Sequence, residues 1–481
     1  MSNQTSEILQ KPLQTLTPVG QEIIFVVAND TAVANETRVK FVAEVHIGKT
    51  IPNTSTSTDL IATFKTTPNN AGVGIFDFRN ILENYVSADN MAANNSKYKN
   101  AVTTDTQRHA LHIIDKFSKS INIVRYLAIQ FKVEFLGADT TQPNVVNIAD
   151  GTSVNSDAYI IENGYIKYTD ELTHGINPNQ NDFGFDTTNL EPFITHPATN
   201  TRKFLTNAPT TLYANLEDYG TFAFLQTTND MSDNVYDVRF EYYNSSGVSL
   251  GGETIVKDFS TGAYDNWSAE AKKQVIYLGV FPGNLQNSST TFNTLVTNNT
   301  IQGGYYNVTL RNQAGRNALA TYTINVTCPD LKGFESIRLC WLNQWGAWDY
   351  YTFTKKSTTS IRTKGSTYQQ LEGSWNERTF NIDSYRGGKK AFRRNATELI
   401  KINTDYISAD DNVMFEEMIN SPEVYLLKGF QDDITNSYLN KYVTPVRVSS
   451  SSFTRKTKAN DKLIQYTFDI EKSKTLRTQT V

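Results

Sequence analysis

The residues able to do chemistry are few and scattered. The 481-residue chain holds five histidines, His46, His109, His112, His174 and His196, and two cysteines, Cys328 and Cys340. Only His109 and His112 share a local spacing, and an i, i+3 histidine pair without a third ligand is a weak metal signal. No Cys/His spacing resembles a zinc site, so no metal and no cofactor are expected. Two cysteines make no disulfide framework for a chain this long. Cys328 falls on the inward face of a strand and reads as a small buried hydrophobe; pairing with Cys340 is the alternative. No Gly-rich phosphate loop and no Gly-x-Ser-x-Gly elbow occur. Asp and Glu are numerous, but a carboxylate pair for glycoside hydrolysis is defined by separation in space, which spacing along a chain does not supply. Asp349, beside a tryptophan cluster, is the best acidic candidate. No catalytic residue is assigned, and the chain reads as a non-enzyme.

Two further clusters each take two readings. Trp341, Trp345, Trp348, Tyr350 and Tyr351 lie close together. Exposed, they would stack on sugar rings and make a glycan binder; buried, they would supply the large area that aromatics bring to a core. The core reading is preferred, with Trp341 on a strand and Trp345, in the turn, expected to be exposed. The basic run Arg386-Gly-Gly-Lys-Lys-Ala-Phe-Arg-Arg394 reads as a solvated loop. The functional alternative is a contact to an acidic partner surface or to passing nucleic acid.

The elements that would carry these residues are mostly strands. A chain of this length exceeds one hydrophobic core, and about three domains are expected. Hydrophobic residues make up 39% and aromatics 12% of the chain, enough to build cores. Tyr (25) and Phe (26) against Met (5) favour sheet over helix. The net charge of −4 exerts no general pull on nucleic acid or an anionic membrane. The first residues lack a charged leader followed by an apolar run, and no apolar stretch approaches the ~20 residues of a membrane helix. A soluble protein made in a cytoplasm, with no membrane span, is expected.

The expected fold is mainly β: several antiparallel, sandwich-like domains with a few short helices. Residues 1–20 read as an arm. Residues 21–140 form a β domain. There Val39, Phe41, Ala43, Val45 and Ile47 alternate with Lys40, Glu44 and His46, which places His46 on the polar face. Leu127, Ile129, Phe131, Val133 and Phe135 alternate likewise. Between them a strand through Phe78 leads to a short helix, with Asp77 as N-cap. Residues 141–200 read as an extended region between domains that could reach a neighbouring subunit. Within it Asn163-Gly164 suits a type I′ hairpin turn. Residues 201–330 carry the alternations of a sandwich: Tyr236, Val238, Phe240, Tyr242; Tyr306, Val308, Leu310; Tyr322, Ile324, Val326. Residues 331–481 form a C-terminal β-rich domain with one helix, opened by a capping-box-like Ser408-Ala-Asp-Asp411 and burying Phe415, Met418 and Ile419.

Three stretches carry a resemblance. They are Gly74-Ile-Phe-Asp-Phe-Arg-Asn-Ile-Leu-Glu-Asn-Tyr-Val86, Phe204-Leu-Thr-Asn-Ala-Pro209 with Glu217-Asp-Tyr-Gly-Thr-Phe-Ala-Phe224, and Trp341-Leu-Asn-Gln-Trp-Gly-Ala-Trp-Asp-Tyr-Tyr-Thr-Phe353. These are similar to virion structural proteins of tailed phages of Bacteroidetes hosts, including crAss-like phages. The resemblance implies a β-rich tail, neck or baseplate component located in the virion and assembling in multiple copies, as a ring or tail-tip protein. Its partners would be other copies of itself and other tail or neck proteins, with transient contact to passing DNA. It carries no site residues over. A receptor- or glycan-binding tail protein is the alternative, and a glycan-cleaving enzyme the third reading.

Overall fold

The computed structural model describes residues 6–12, 16–55, 58–89, 117–120, 122–137, 141–149, 159–165, 172–174, 183–185, 203–226, 236–257, 274–311, 321–327, 334–428, 443–450, 452–457 and 464–476. The protein is mainly β, a set of mostly antiparallel, sandwich-like sheets with a few short helices. The chain divides into two units. Unit 1 comprises Met1–Thr327, Leu342–Asp349 and Asp432–Tyr438; unit 2 comprises Cys328–Trp341, Tyr350–Gln431 and Leu439–Val481.

Unit 1 contains several sheets. A three-stranded sheet runs β1 (Ser6–Gln10), β3 (Ile24–Asn29), β6 (Val73–Asp77). A six-stranded sheet runs β2 (Leu16–Pro18), β10 (Tyr159–Glu162), β8 (Val124–Leu136), β4 (Thr37–Gly48), β5 (Leu60–Thr66), with β9 (Asn144–Ile148) also on β8. The pairing of β4 with β8 follows from their alternation. Phe41, Ala43 and Val45 lie opposite Val133, Phe131 and Ile129, so the two apolar faces coincide. Phe25, Phe76, Phe78, Phe131 and Tyr159 close this core through edge-on, tilted and stacked ring contacts. The helix α1 (Asp30–Asn35) is capped by Asn29, whose side chain accepts from the Ala32 amide at 2.9 Å. The expected short helix is α2 (Arg79–Leu82); Asp77 accepts from the amides of Arg79 at 3.0 Å and Ile23 at 3.1 Å.

Two expectations fail in this sheet. His46 is 1% exposed rather than on a polar face. Ala128, opposite it on β8, and Tyr126 are also buried, so this end of the second face is covered as well. The Asn163-Gly164 turn does not form, since neither residue has a positive φ. β10 instead has β8 on one edge and β2, in parallel, on the other, which leaves no free edge for a returning hairpin strand. Pro18 is tolerated because β2 is an edge strand. The rest of 141–200 lies largely outside the described residues; it includes the short pair β11 (Leu172–His174) and β12 (Phe183–Phe185).

The second half of unit 1 packs two sheets together, one of which takes a strand from outside the 201–330 range. One sheet runs β13 (Thr211–Asn215), β19 (Tyr322–Thr327), β18 (Tyr305–Arg311), β15 (Tyr236–Tyr243), β16 (Ser249–Lys257). The other runs β14 (Thr221–Gln226), β17 (Gln274–Gly279), β7 (Phe117–Lys119). Val238, Phe240 and Tyr242 lie opposite Leu310, Val308 and Tyr306, all buried. Phe222 from the second sheet meets Tyr322 at 5.0 Å between ring centroids. On the other face Thr and Asn side chains bond one another, as in Thr323 to Asn307 at 2.9 Å. Among the described strands of these two sheets, β13 alone departs from the antiparallel plan, pairing in parallel with β19. Helices α3 (Pro282–Ser288) and α4 (Thr290–Thr297) follow β17; Pro282 sits at the start of α3, where its missing N–H costs nothing.

Unit 2 is built on a seven-stranded sheet, β21 (Trp348–Phe353), β20 (Ile337–Leu342), β24 (Val424–Leu427), β25 (Val443–Val448), β26 (Thr467–Lys472), β23 (Gly388–Asn403), β22 (Thr358–Gln370). The capping box forms: Ser408 N–H donates to Asp411 Oδ2 at 2.9 Å. It opens a 3₁₀ turn, Ala409–Asp411, that runs into α5 (Asn412–Asn420). Met414, Phe415 and Met418 of α5 are fully buried, with Phe415 stacked on Phe468 at 5.6 Å. Ile464, Tyr466, Phe468 and Ile470 face inward as their alternation requires.

Candidate functional site

The tryptophan hairpin is core. β20 and β21 form the expected strand–turn–strand, and its tip, Leu342–Asp349, belongs to unit 1. Asn343 organises the tip: its Oδ1 accepts from the amides of Trp345 and Ala347, both at 3.0 Å, and its Nδ2 donates to the Leu205 carbonyl at 2.8 Å. Gly346 takes φ +70°, and a Cβ there would lie 2.1 Å from the Asn163 carbonyl oxygen. The turn is therefore closed over by backbone, and Trp345, expected to be exposed, is 5% exposed. Its Nε1 donates to Asn207 Oδ1 at 3.3 Å. Trp348 Nε1 donates to the Asp89 carbonyl at 3.0 Å. In unit 2, Trp341 is fully buried, Arg338 lies over the Tyr350 ring at 5.3 Å, and Tyr351 packs edge-on against Phe415 at 4.9 Å. Trp341, Trp345, Trp348 and Tyr350 are buried and offer no open face of the kind that sugar stacking needs; Tyr351 is half-buried.

Asp349 is buried too. The Thr206 hydroxyl donates to its Oδ1, and burial pushes the carboxyl up to about 6 against the opposing pull of Thr206 and Asn343. Sequence spacing placed Asp349 beside tryptophans; the fold encloses it with them, out of reach of a substrate.

Of the remaining candidates, the side chains of His46 and Cys340 are described. Burial lowers the His46 pKa, and neither ring nitrogen has a hydrogen-bond partner. His109, His112 and His196, and Cys328, lie outside the described residues, and His174 is described in backbone alone. Cys340 is a buried free thiol whose pKa burial pushes up, the opposite of what a nucleophile needs. Among the described residues no group of three or more His, Cys, Asp or Glu is placed to hold a metal, and no helix is long and apolar enough to cross a membrane.

What is exposed lies elsewhere. The basic run is not a loop from end to end: it enters β23, which pairs with β22 from Gln370–Gly388 to Thr358–Lys401 in a long antiparallel ribbon. The connecting tip presents Leu371, Trp375, Phe380, Ile382 and Tyr385, each 56–77% exposed. Sequence reasoning singled out the basic run and missed the apolar tip, although Leu371, Trp375, Phe380, Ile382 and Tyr385 stand among Asn, Ser, Gly and charged residues with no helical or strand period. No protein-family model matches the chain, and no curated protein matches it.

Proposed function

We propose that this chain is a structural component of a tailed-phage virion, in the tail region, that works by assembling in several copies and not by turnover. The observation that carries the reading is a division of residue types. Trp341, Trp345, Trp348, Tyr350 and Asp349, which would serve a sugar or a reaction, are enclosed in cores, while Trp375, Phe380, Tyr385 and Phe392 stand exposed beside a run of bases on the β22–β23 ribbon. Rigid sheets with one adhesive projection suit a part whose work is to hold neighbours. The three stretches that resemble virion proteins support the setting; they supply β6 with α2, the segment around Thr206 and β14, and the β20–β21 hairpin. The glycan-binding alternative rested on an exposed Trp345 and loses that support. Mass spectrometry and imaging of purified particles test the proposal. The chain is expected in the tail region in multiple copies. Its absence from purified virions, or a single copy per particle, refutes it.

A further inference from the structure

We propose that the β22–β23 ribbon is a docking arm that seats on a second copy of this chain. The inference rests on the assembly reading and names the element that performs it.

The first argument is the ribbon's lack of support. β26 pairs with β23 only over Leu399–Asn403, and one further bridge joins Ala396 to Leu476. Among the described residues Gly388–Asn395 therefore pairs with β22 alone, a reach of ~26 Å at strand rise. A two-stranded ribbon without a third strand or a packed face is marginal in water. This one has an unbroken cross-strand ladder apart from one register shift, between Ser366 and Thr367, yet β22 is exposed from Thr358 to Thr367. A partner surface supplies the burial that the ribbon's own unit does not.

The second argument is the order of the tip. Ser374 is buried; its N–H donates to the Asn381 carbonyl at 3.0 Å, and its Oγ accepts from the Asn381 amide at 2.8 Å and donates to the Thr379 carbonyl at 3.0 Å. Gly373 makes the turn at φ +77°, where a Cβ would strike the Phe380 ring. Trp375 meets Phe380 edge-on at 5.5 Å and donates from Nε1 to the Glu372 carbonyl at 2.8 Å. The apolar side chains are held outward by a constructed loop, which lowers the ordering cost of binding. Trp and Tyr with flanking Arg are the composition of interface hot spots.

The third argument is charge, and it selects the partner. Residues 358–396 hold eight Lys or Arg and three Asp or Glu, a net +5 in a chain of −4, so the remainder carries −9. The bases Arg362, Lys364, Lys389, Lys390, Arg393 and Arg394 lie on the stem. The acids Glu372, Glu377 and Asp383 lie among the apolar tip residues with Arg378 and Arg386, the latter 3.6 Å from Asp383, so the tip itself is net acidic by one charge. Carboxylates at the apolar tip oppose insertion into an anionic lipid surface, and they interrupt any basic track along a nucleic acid. An apolar tip with a cationic stem fits a protein surface that is apolar at its centre and acidic around it. The acidic remainder of the same chain meets the electrostatic requirement. Because tip and receiving surface are different patches, the contact is open to head-to-tail repetition, the kind that closes into a ring or runs on as a filament, as well as to reciprocal exchange about a two-fold axis.

Sedimentation of the purified full chain tests this over a range of concentrations and salt. The wild type is expected to self-associate, more weakly at 1 M than at 0.1 M NaCl. The tip variant Trp375→Ser/Ile382→Ser and the stem variant Lys389→Glu/Arg394→Glu are each expected to weaken association at least tenfold without lowering the melting temperature. All four sites are exposed, so folding is not at stake. A photo-crosslinker at position 375 should capture another copy of the chain. A wild type that stays monomeric overturns the assignment, as does a photo-crosslink to added DNA or vesicles instead of protein. Self-association untouched by either variant overturns the arm and leaves the assembly reading standing. Absence from virions, with self-association through the tip intact, overturns the assembly reading alone.

Discussion

Replacing Glu162 by Gln should make the protein more stable in alkali and leave it little changed in acid. Glu162 ends β10, a strand buried along its whole length, and stands between Val124 of β8 and Pro18 of β2. Its Oε1 has no hydrogen-bond partner. Burial pushes the carboxyl from 4.5 up to about 8, so the folded protein carries it neutral at pH 7. Between these two values the folded state holds a proton that the unfolded state has released. Stability therefore falls as pH rises from about 4.5, and the loss is complete above about 8. A shift of this size corresponds to about 5 kcal/mol at pH 9, about 3 kcal/mol at pH 7 and under about 1 kcal/mol at pH 5. Glutamine keeps the shape and cannot ionise. Urea unfolding followed by circular dichroism, run on both proteins from pH 5 to 9, should show a gap that opens with pH along this course. A gap that stays constant across the range, or a variant less stable at pH 9, refutes the placement of this carboxyl in a buried, desolvating site.

Two further substitutions probe the hairpin tip by the same unfolding measurement. Trp345→Ala should cost about 3–5 kcal/mol, the same class of loss as Trp341→Ala, because both indoles are buried; a cost below about 1 kcal/mol at Trp345 would return that ring to the surface. Gly346→Ala should destabilise at least as much as Trp345→Ala, since its Cβ would meet the Asn163 backbone, whereas Gly388→Ala, also at positive φ but facing open space, should cost only about 1 kcal/mol of backbone strain.

The strands that could be read from the chain were those with one wet and one dry face. Residues 39–47, 127–135, 236–242, 306–310 and 322–326 alternate in sequence because one face of each strand packs into a core, while the other is wetter over much of its length. The capping box at Ser408 was legible for a similar reason, as a device that closes within four residues. His46, Glu162 and Trp345 were not legible. Their environments are set by pieces distant in sequence: Ala128 beside His46, Pro18 beside Glu162, Asn163 and Asn207 around the Trp345 turn. A polar residue in a strand reads as a wet face until something far along the chain covers that face. The parallel pairings of β2 with β10 and β13 with β19 were hidden in the same way, since they join segments more than a hundred residues apart.

The ribbon failed to announce itself for a different reason, and the reason bears on what it does. Alternation in a strand records the difference between its two faces, and that difference exists only where one face is buried. Thr358–Gln370 shows no such record; it reads Thr-Thr-Ser-Ile-Arg-Thr-Lys-Gly-Ser-Thr-Tyr-Gln-Gln. Yet it keeps a cross-strand ladder with β23 that ends in an ordered apolar tip. Polar Thr and Ser with intermittent Ile and Tyr suit a surface that is wet before contact and part-covered after it. An entirely apolar face would have been readable as a core strand, and would also have made the free chain prone to edge-to-edge aggregation. The bases on the stem would serve the same end under the proposed docking, keeping the ribbon dissolved until an acidic surface replaces the water. If the proposed docking holds, the ribbon's pattern becomes complete in the assembly, and the weak periodicity of this described strand is the mark of the element that would meet the neighbour.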